Sequence, residues 1–211
     1  LGNALQENGD LNSAILSFQK ALQIKPDYQD AHNNLGNALK EQGDLNSAIL
    51  SFQKALKIKP NFAQAHYNLG NTLQENGDLN SAIDSFQNAI KIQPDYQDAH
   101  NNLGTALQEK GDLNSAIDSY QNAINLNPKY HEAHNNLGTA LQENGDLNSA
   151  IDSFQNAIKL NPDYQNAHFN LGHAIFLVGD NYKKAWLQYE YRFKSSKIET
   201  VPQAQPPIPK W

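Results

Sequence analysis

The chain has 211 residues, a formal net charge of -6, and no cysteine or methionine. The lack of cysteine excludes disulfides and thiolate sites, and the acidic balance disfavours a duplex nucleic-acid binder, which needs a concentrated basic patch. No apolar run reaches the roughly 18 residues of a membrane span and no signal peptide is visible, so we expect a cytoplasmic protein that binds neither nucleic acid nor membrane.

Glycine and proline recur along the chain at a fixed period. One glycine series runs in steps of 34 residues through Gly2, Gly36, Gly70, Gly104, Gly138 and Gly172. A second glycine series runs at the same step through Gly9, Gly43, Gly77, Gly111, Gly145 and Gly179, and a proline series runs through Pro26, Pro60, Pro94, Pro128 and Pro162. A fixed period of this length indicates a tandem array of one structural unit.

The first half of each unit predicts a helix. In the copy that follows Pro26, apolar residues at helical spacing place this helix at about Gln29–Gln42. Asp27 is the expected N-cap. Gly43 ends the helix, because glycine accepts a left-handed conformation at low cost.

The second half of each unit predicts another helix. It runs from about Leu45 to Lys57, with Asp44 as its N-cap, and Pro60 stops it because proline cannot continue a helix. One such pair cannot bury its apolar face alone. Neighbouring pairs are therefore expected to stack into a solenoid.

The pattern within one unit resembles a known family. The order Leu35-Gly36, Leu39, Gly43-Asp44, Ala48, Phe52, Ala55, Pro60 is similar to the tetratricopeptide repeat (TPR), which has the same period. The resemblance covers about residues 1–193 and implies an all-α fold, a right-handed α-solenoid of antiparallel helix pairs. It divides the chain into a partial repeat at 1–28, repeats at 29–62, 63–96, 97–130 and 131–164, a divergent last repeat at 165–198 and a Pro-rich tail at 199–211.

An asparagine precedes the core leucine of each first helix, at Asn34, Asn68, Asn102, Asn136 and Asn170. In a TPR solenoid the first helices line the concave wall, so the resemblance implies a ladder of side-chain amides along a groove. Asn37 and Asn71 extend this ladder by one turn. The flanking positions hold Asn33, Tyr67, Asn101 and Asn135.

The asparagine ladder predicts a peptide ligand. A side-chain amide carries both a donor and an acceptor, as does each residue of a peptide backbone. The groove is therefore expected to hold an extended segment of a protein or peptide, and Asp30, Asp98 and Glu132 near one rim favour a neutral or basic ligand. The ladder also resembles the inner surface of the O-linked N-acetylglucosamine transferase superhelix. The alternative is that these amides bond only neighbouring helices or water.

Histidine stands where the TPR family usually has a large aromatic residue, at His32, His66, His100, His134 and His168. Zinc needs its ligands about 2 Å from one ion, whereas stacked helices lie about 8–10 Å apart. We therefore expect a packing role for the histidines and no metal site. No phosphate-binding loop and no nucleophile elbow is present, so we expect no catalytic residue, no cofactor and no enzyme activity in this chain.

The last unit departs from the pattern. Phe176 occupies a place that holds glutamine or lysine in the other repeats, and Leu177 occupies a place that holds glutamate. One residue is inserted near Asn181. An end repeat normally becomes more polar because it faces solvent. We therefore predict a docking or assembly surface for a following domain, a second copy or the chain's own tail, formed by Phe169, Phe176, Leu177, Trp186 and Tyr189.

Two further hypotheses come from the end of the chain. The tail at 199–211 contains four prolines and is expected to be extended polyproline II. The segment before it resembles the junction at which bacterial repeats of this kind lead into a glycosyltransferase-like domain, through Gly179, Tyr182, Trp186, Tyr189, Glu190, Tyr191 and Arg192. This implies a fragment that serves as the non-catalytic, substrate-presenting arm of a larger glycosyltransferase. A structural, self-assembling repeat protein is the third hypothesis.

Overall fold

The computed structural model describes residues 1–179 and 182–194, and in the last helix it describes the side chains of residues 183–188, 190 and 191. The chain divides into two compact units between Asp112 and Leu113. The predicted insertion near Asn181 and the tail at 199–211 lie outside the described residues. Ala185 is buried beside Ala150 and Phe154. It comes 35 residues after Ala150, one residue more than the 34 that separate Ala116 from Ala150.

Unit 1 contains seven helices within residues 1–112, and consecutive helices pack against each other. They are α1 (Gly2–Glu7), α2 (Leu11–Ile24), α3 (Gln29–Glu41), α4 (Leu45–Ile58), α5 (Ala63–Glu75), α6 (Leu79–Ile92) and α7 (Gln97–Lys110).

Unit 2 repeats the same arrangement among its described residues. Its helices are α8 (Leu113–Leu126), α9 (His131–Glu143), α10 (Leu147–Leu160), α11 (Gln165–Val178) and α12 (Tyr182–Lys194). The all-α class of stacked antiparallel helix pairs is confirmed, and the predicted helix ends agree to within one residue where they were specified. Among the described residues no helix is both long enough and apolar enough to cross a bilayer.

The helix ends follow the sequence signals with one exception. Asp44 caps α4, since its Oδ1 accepts a hydrogen bond from the Ser47 backbone N–H at 3.1 Å. Gly43 follows α3 with φ +91°, as the C-terminal signal predicts. The prediction that Asp27 caps α3 is wrong. The N-cap residue is Tyr28, which makes no side-chain capping bond, because the helix begins one residue later than an Asp27 cap requires.

Each repeat closes around a large side chain that fits against a glycine. A Cβ atom added at Gly36 would lie 2.6 Å from Phe52 Cε1, and one at Gly70 would lie 2.7 Å from Phe86 Cε1. In unit 2, a Cβ at Gly138 would lie 2.6 Å from Phe154 Cε1. The glycine therefore lets the two helices of a pair approach closely over a fully buried ring.

The first helices of successive repeats form one wall in each unit. In unit 1, α3 contacts α5 and α5 contacts α7, and in unit 2, α9 contacts α11. The second helices of successive repeats make no comparable contacts among the described residues. The closer approach of the first helices places them on the inner side of each stack, where the asparagines lie.

Candidate functional site

The asparagines of the first helices occupy two positions with different exposure. Five are half-buried on the wall: Asn34, Asn68, Asn102, Asn136 and Asn170. The sequence also predicts Asn33, Asn101 and Asn135 as groove contacts, but they are only 5–6% exposed. Asn33 and Asn135 lie between neighbouring first helices, where their Oδ1 atoms accept hydrogen bonds from Asn68 and Asn170 of the next repeat. Each of the three also donates from Nδ2 to the half-buried asparagine that follows it, and its role as a ligand contact stays a prediction.

In unit 1 the amides form a chain of hydrogen bonds from repeat to repeat. Asn34 Nδ2 donates to Asn3 Oδ1 at 3.1 Å, and Asn33 Nδ2 donates to Asn34 Oδ1 at 3.3 Å. Asn68 Nδ2 donates to Asn33 Oδ1 at 3.1 Å, while its own oxygen accepts from Gln64 Nε2 at 3.0 Å. The ladder therefore ties successive first helices together.

Tyr67 interrupts this chain where other repeats have asparagine. Its hydroxyl accepts a hydrogen bond from Asn102 Nδ2 at 3.1 Å, and the same Nδ2 donates to Asn71 Oδ1 at 2.8 Å. Burial is the main cause that raises the pKa of Tyr67. The hydroxyl thus stays protonated at neutral pH, so Tyr67 adds an uncharged aromatic face to the wall.

Unit 2 repeats the buried-and-exposed pairing. Asn170 Nδ2 donates to Asn135 Oδ1 at 3.0 Å, and Asn135 Nδ2 donates to Asn136 Oδ1 at 3.4 Å. The Thr139 hydroxyl, which stands in the register of Asn37 and Asn71, donates to the Asn135 carbonyl of its own helix at 3.1 Å. Side-chain amides therefore extend the ladder by one turn in unit 1, at Asn37 and Asn71, but not in unit 2, where the same register holds Thr139 and His173.

A second polar row links the first helices of unit 1 near their C-terminal ends. Gln6 Nε2 donates to Glu41 Oε1 at 2.7 Å, and Gln74 Nε2 donates to Glu109 Oε1 at 2.8 Å. Lys40 forms an ion pair with Glu75 at 3.5 Å. All three pairs join residues 35 apart. Lys40 is consequently engaged within the wall, and this end of the groove is acidic and polar.

The recurrent histidine has a structural role that its contacts define. His32 Nε2 lies 2.9 Å from the Pro26 carbonyl oxygen, and His66, His100, His134 and His168 contact Pro60, Pro94, Pro128 and Pro162 in the same way. Because a carbonyl only accepts, each Nε2 carries the proton and donates. The bond ties each first helix to the proline turn before it, which is the packing role that the sequence predicts.

The predicted docking surface is partly visible in unit 2. Phe176 is 57% exposed and Leu177 is 49% exposed at the end of α11. Phe169 is 39% exposed on the same helix, and Trp186 of α12 is half-buried. The Tyr189 side chain lies outside the described part of the structure. The exposed apolar character predicted for α11 is therefore present, while the occupant of this surface stays a prediction.

Sequence reasoning missed Tyr96 and Gln64, two residues that shape the wall of unit 1. Tyr96, at the N-cap of α7, packs its ring at a tilt against Tyr67, with 4.8 Å between ring centroids, and donates its hydroxyl proton to Gln64 Oε1 at 3.0 Å. A signal was available, since an aromatic residue precedes every complete first helix, at Tyr28, Phe62, Tyr96, Tyr130 and Tyr164.

The repeat geometry agrees with a family model described as TPR repeat, which matches residues 2–43, 36–77, 71–111, 105–145 and 140–179. The chain belongs to the TPR family. The TPR prediction is thereby confirmed. Comparison with curated proteins finds no match.

Solved TPR structures resemble the chain over most of its length. MamA is 28% identical, with a TM-score of 0.73 over 77% of this chain and 95% of MamA. YrrB, described as a TPR protein with an unusual peptide-binding site, is 26% identical, with a TM-score of 0.69 over 83% of this chain and 90% of YrrB. PilW, a type IV pilus biogenesis factor, has a TM-score of 0.81 at 20% identity over 92% of this chain and 90% of PilW, which shows a shared fold alone.

Proposed function

We propose that this TPR protein is a scaffold that binds an extended peptide segment along its first helices. The half-buried amides of Asn34, Asn68 and Asn102 carry the proposal, because they recur once per repeat on the inner wall of unit 1. Concave solenoid surfaces of this kind are suited to extended ligands. The peptide-binding site of YrrB, at 26% identity, adds support from a relative.

The hydrogen-bond capacity of these amides supports a backbone ligand. Asn34 and Asn68 each use one of their two Nδ2–H donors, and each carbonyl oxygen accepts one bond in the chain of amides. Each oxygen has two lone pairs. One donor and one acceptor site therefore remain on Asn34 and on Asn68 for a peptide backbone, which offers the same pair at every residue. Asn102 donates from Nδ2 to both Tyr67 and Asn71, so it offers a ligand only the second acceptor site of its oxygen.

The buried partners make this arrangement more than a row of surface amides. Asn33 and Asn101 hold the oxygens of Asn34 and Asn102 in place. An amide that is already oriented loses less conformational freedom when a ligand binds. We therefore assign Asn34, Asn68, Asn102 and Asn71 as ligand contacts in unit 1, with Asn33 and Asn101 as their supports. In unit 2, Asn136 and Asn170 are the candidate contacts and Asn135 is the support.

The expected ligand is neutral or basic. The net charge is -6, and Glu75 and Glu109 are exposed near the C-terminal ends of α5 and α7. Binding should tolerate many sequences, since each backbone hydrogen bond contributes only about 0.5–1.5 kcal/mol net. The glycosyltransferase arm, the self-assembling protein and a cytoplasmic location have no contact or relative in their favour and stay predictions.

The test is a screen of random extended peptides with two triple variants. Asn34, Asn68 and Asn102 are changed to Ala in one variant. Asn46, Asn80 and Asn88, which are exposed on the second helices, are changed to Ala in the matched control. We expect the groove variant to lose binding by at least about tenfold, and the control to bind as the wild type does. Equal binding by both variants would reject the asparagine ladder as the contact.

A further inference from the structure

The wall of unit 1 contains a pair of tyrosines, one from α5 and one at the N-cap of α7. Tyr67 and Tyr96 form an aromatic pair with ring centroids 4.8 Å apart and an interplanar angle of 37°. Phe86 lies behind Tyr67 at 6.0 Å between centroids. The hydroxyls are tied to Asn102 and Gln64, so the pair is held in place on the same wall as the asparagine ladder.

Two other repeats of unit 1 show what the aromatic residue before a first helix can bind. The Lys25 ammonium lies 5.2 Å from the Tyr28 ring centroid, and the Lys59 ammonium lies 4.8 Å from the Phe62 centroid. In both cases the lysine stands three residues before the aromatic. These distances are within the range of a cation–π interaction. The aromatic residue at this place therefore accepts a cation in two repeats.

Tyr96 lacks this internal cation. The residue three positions before it is Gln93. An acidic side chain is nevertheless close, since Asp98 lies in the first turn of α7, two residues after the N-cap residue Tyr96. Its negative charge also contributes to raising the pKa values of both Tyr67 and Tyr96, after the larger effect of burial. Asp98 is half-buried and forms no ion pair among the described residues. An aromatic pair and an uncompensated carboxylate thus occur together where the chain supplies no lysine.

The protonation of the two tyrosines keeps this surface suited to a cation. Burial first, and then the charges of Tyr67 and Asp98, raise the pKa of Tyr96 to about 12. Both hydroxyls therefore remain neutral at physiological pH. A ligand cation therefore meets the negative charge of Asp98 and two uncharged aromatic faces.

We propose that Tyr67, Tyr96 and Asp98 form a side-chain subsite that binds one Lys or Arg of the extended ligand. This inference rests on the proposed peptide groove and adds a position at which the ligand sequence matters. The aliphatic stem of the ligand residue packs on the rings, and its charged end reaches Asp98. The subsite supplies the sequence preference that the backbone-binding ladder lacks.

The chain itself provides the substitutions for the test. Gln93→Lys gives Tyr96 the lysine that Tyr28 and Phe62 already have, so an internal cation competes for the subsite. Asp98→Gln removes the charge and gives the residue that the preceding repeat carries as Gln64. Gln93→Asn is the matched control, because Asn occupies the same register at Asn127 and Asn161. Gln93 is exposed, so these changes leave the core intact.

Two probes separate the subsite from the groove. The first is a pair of blocked 12-residue peptides of Ala, Ser and Gln with one central lysine or norleucine. We expect the lysine peptide to bind about five- to tenfold more tightly to the wild type, and Gln93→Lys and Asp98→Gln to bring this ratio close to one while Gln93→Asn keeps it. The second probe is Nα-acetyl-lysine methylamide, followed by the NMR signals of the Tyr67 and Tyr96 rings.

The outcomes identify which proposal fails. Equal binding of the two peptides to the wild type, or a lysine preference that survives both Gln93→Lys and Asp98→Gln, would overturn the subsite and leave the groove standing. If neither peptide binds but the acetyl-lysine probe shifts the tyrosine signals in the wild type and not in Gln93→Lys, the subsite holds and the groove proposal fails. No response to either probe would overturn both.

Discussion

The repeat formed by α5 and α6 and the repeat formed by α11 and α12 are built on the same interior. In each repeat, histidine donates from Nε2 to the carbonyl of the preceding proline at 2.9 Å, His66 to Pro60 and His168 to Pro162. The core leucines at the same register are similarly buried, 8% exposed for Leu69 and 3% for Leu171. The two repeats thus keep the contacts that hold a helix pair together.

The same two repeats differ at the C-terminal ends of their first helices. The α5 helix ends in Gln74 and Glu75, and Gln74 donates to Glu109 of the next repeat at 2.8 Å. The α11 helix has Phe176 and Leu177 at these positions, both exposed. Stacking therefore requires the interior but not the polar row, and this end of the wall is available for other contacts.

Where the polar row ends in unit 2, the glutamine of the preceding repeat, Gln142, has a different hydrogen-bond partner. Gln142 stands in the register of Gln74, but the partner position holds Leu177 in place of glutamate. Gln142 Nε2 lies 3.2 Å from His173 Nδ1, and its buried Oε1 has no partner among the described residues. A buried acceptor without a donor has a cost of about 1–3 kcal/mol, and a glutamate at position 177 would not remove that cost, since a carboxylate only accepts.

The largest expected effect concerns the shared interior. Phe86→Ala should lower the free energy of unfolding by about 3–5 kcal/mol, because it removes a fully buried ring and leaves a cavity. Phe154→Ala in unit 2 should have an effect of the same size. Chemical denaturation measures both. Leu50→Ala, at a side chain that is 58% exposed, is the control, and a loss as large as that of Phe86→Ala would contradict the assigned core.

The glycine opposite the buried ring should be the next most sensitive position. Gly70→Ala should cost about 1–3 kcal/mol, because the added Cβ would lie 2.7 Å from Phe86 Cε1. Gly77→Ala meets no atom within 4 Å but imposes φ +84° on alanine, at a cost of about 1–2 kcal/mol.

A double-mutant cycle distinguishes the two causes. Phe86→Leu should reduce the cost of Gly70→Ala, since it withdraws the ring that the new methyl group meets. It should leave the cost of Gly77→Ala unchanged, because backbone strain does not depend on the ring. Additive effects of Gly70→Ala and Phe86→Leu would contradict the close approach of these two residues.

A smaller effect is expected where the polar row ends. Leu177→Glu should place a carboxylate where Glu109 stands relative to Gln74, and so give the Gln142 Nε2–H group a carboxylate acceptor, while Gln142 Oε1 stays without a donor. The expected gain in the free energy of unfolding is about 0.5 kcal/mol, the low end for a hydrogen bond at an exposed position. Thermal denaturation of Leu177→Glu against Leu177→Ala measures it. A variant with glutamate that is less stable than the one with alanine would show that the row cannot be restored.

The smallest expected effect is the pH dependence of the helix caps. Hydrogen bonds from the serine three residues later lower the pKa values of Asp10, Asp44, Asp78 and Asp146. The ionised caps therefore favour the folded state above the unfolded carboxyl pKa of about 3.9, and this contribution is lost as the pH falls through the lower folded pKa values. Replacing all four by Asn, which also caps well, should reduce the loss of stability as the pH falls below about 4. An unchanged acid transition would contradict the assignment.

The repeat period predicted most of the fold because glycine, proline and the core residues each recur for a local reason. Gly43 marks a turn with positive φ, Asp44 caps α4, and Phe52 requires the space beside Gly36. Each of these is decided within one repeat, so the sequence alone carries the information.

The site was less predictable because its geometry is decided between repeats. The spacing of Asn33 and Asn34 is the same in sequence, yet Asn33 is buried and bonds to Asn68 of the next repeat. The pairing of Tyr67 with Tyr96 joins residues 29 apart, and no helical period indicates it. Only the stacking of one helix pair on another reveals which amides are buried between repeats and which stay half-exposed on the wall.

The most direct test of the peptide groove removes the ligand's backbone donors instead of the protein's amides. A peptide that binds the wild type is compared by calorimetry with an analogue in which alternate amide N–H groups are N-methylated. Binding through the asparagine ladder predicts a loss of at least about tenfold, since several backbone hydrogen bonds of about 0.5–1.5 kcal/mol each are lost together. Equal affinity for both peptides would contradict the account, because the groove would then recognise side chains and not the backbone.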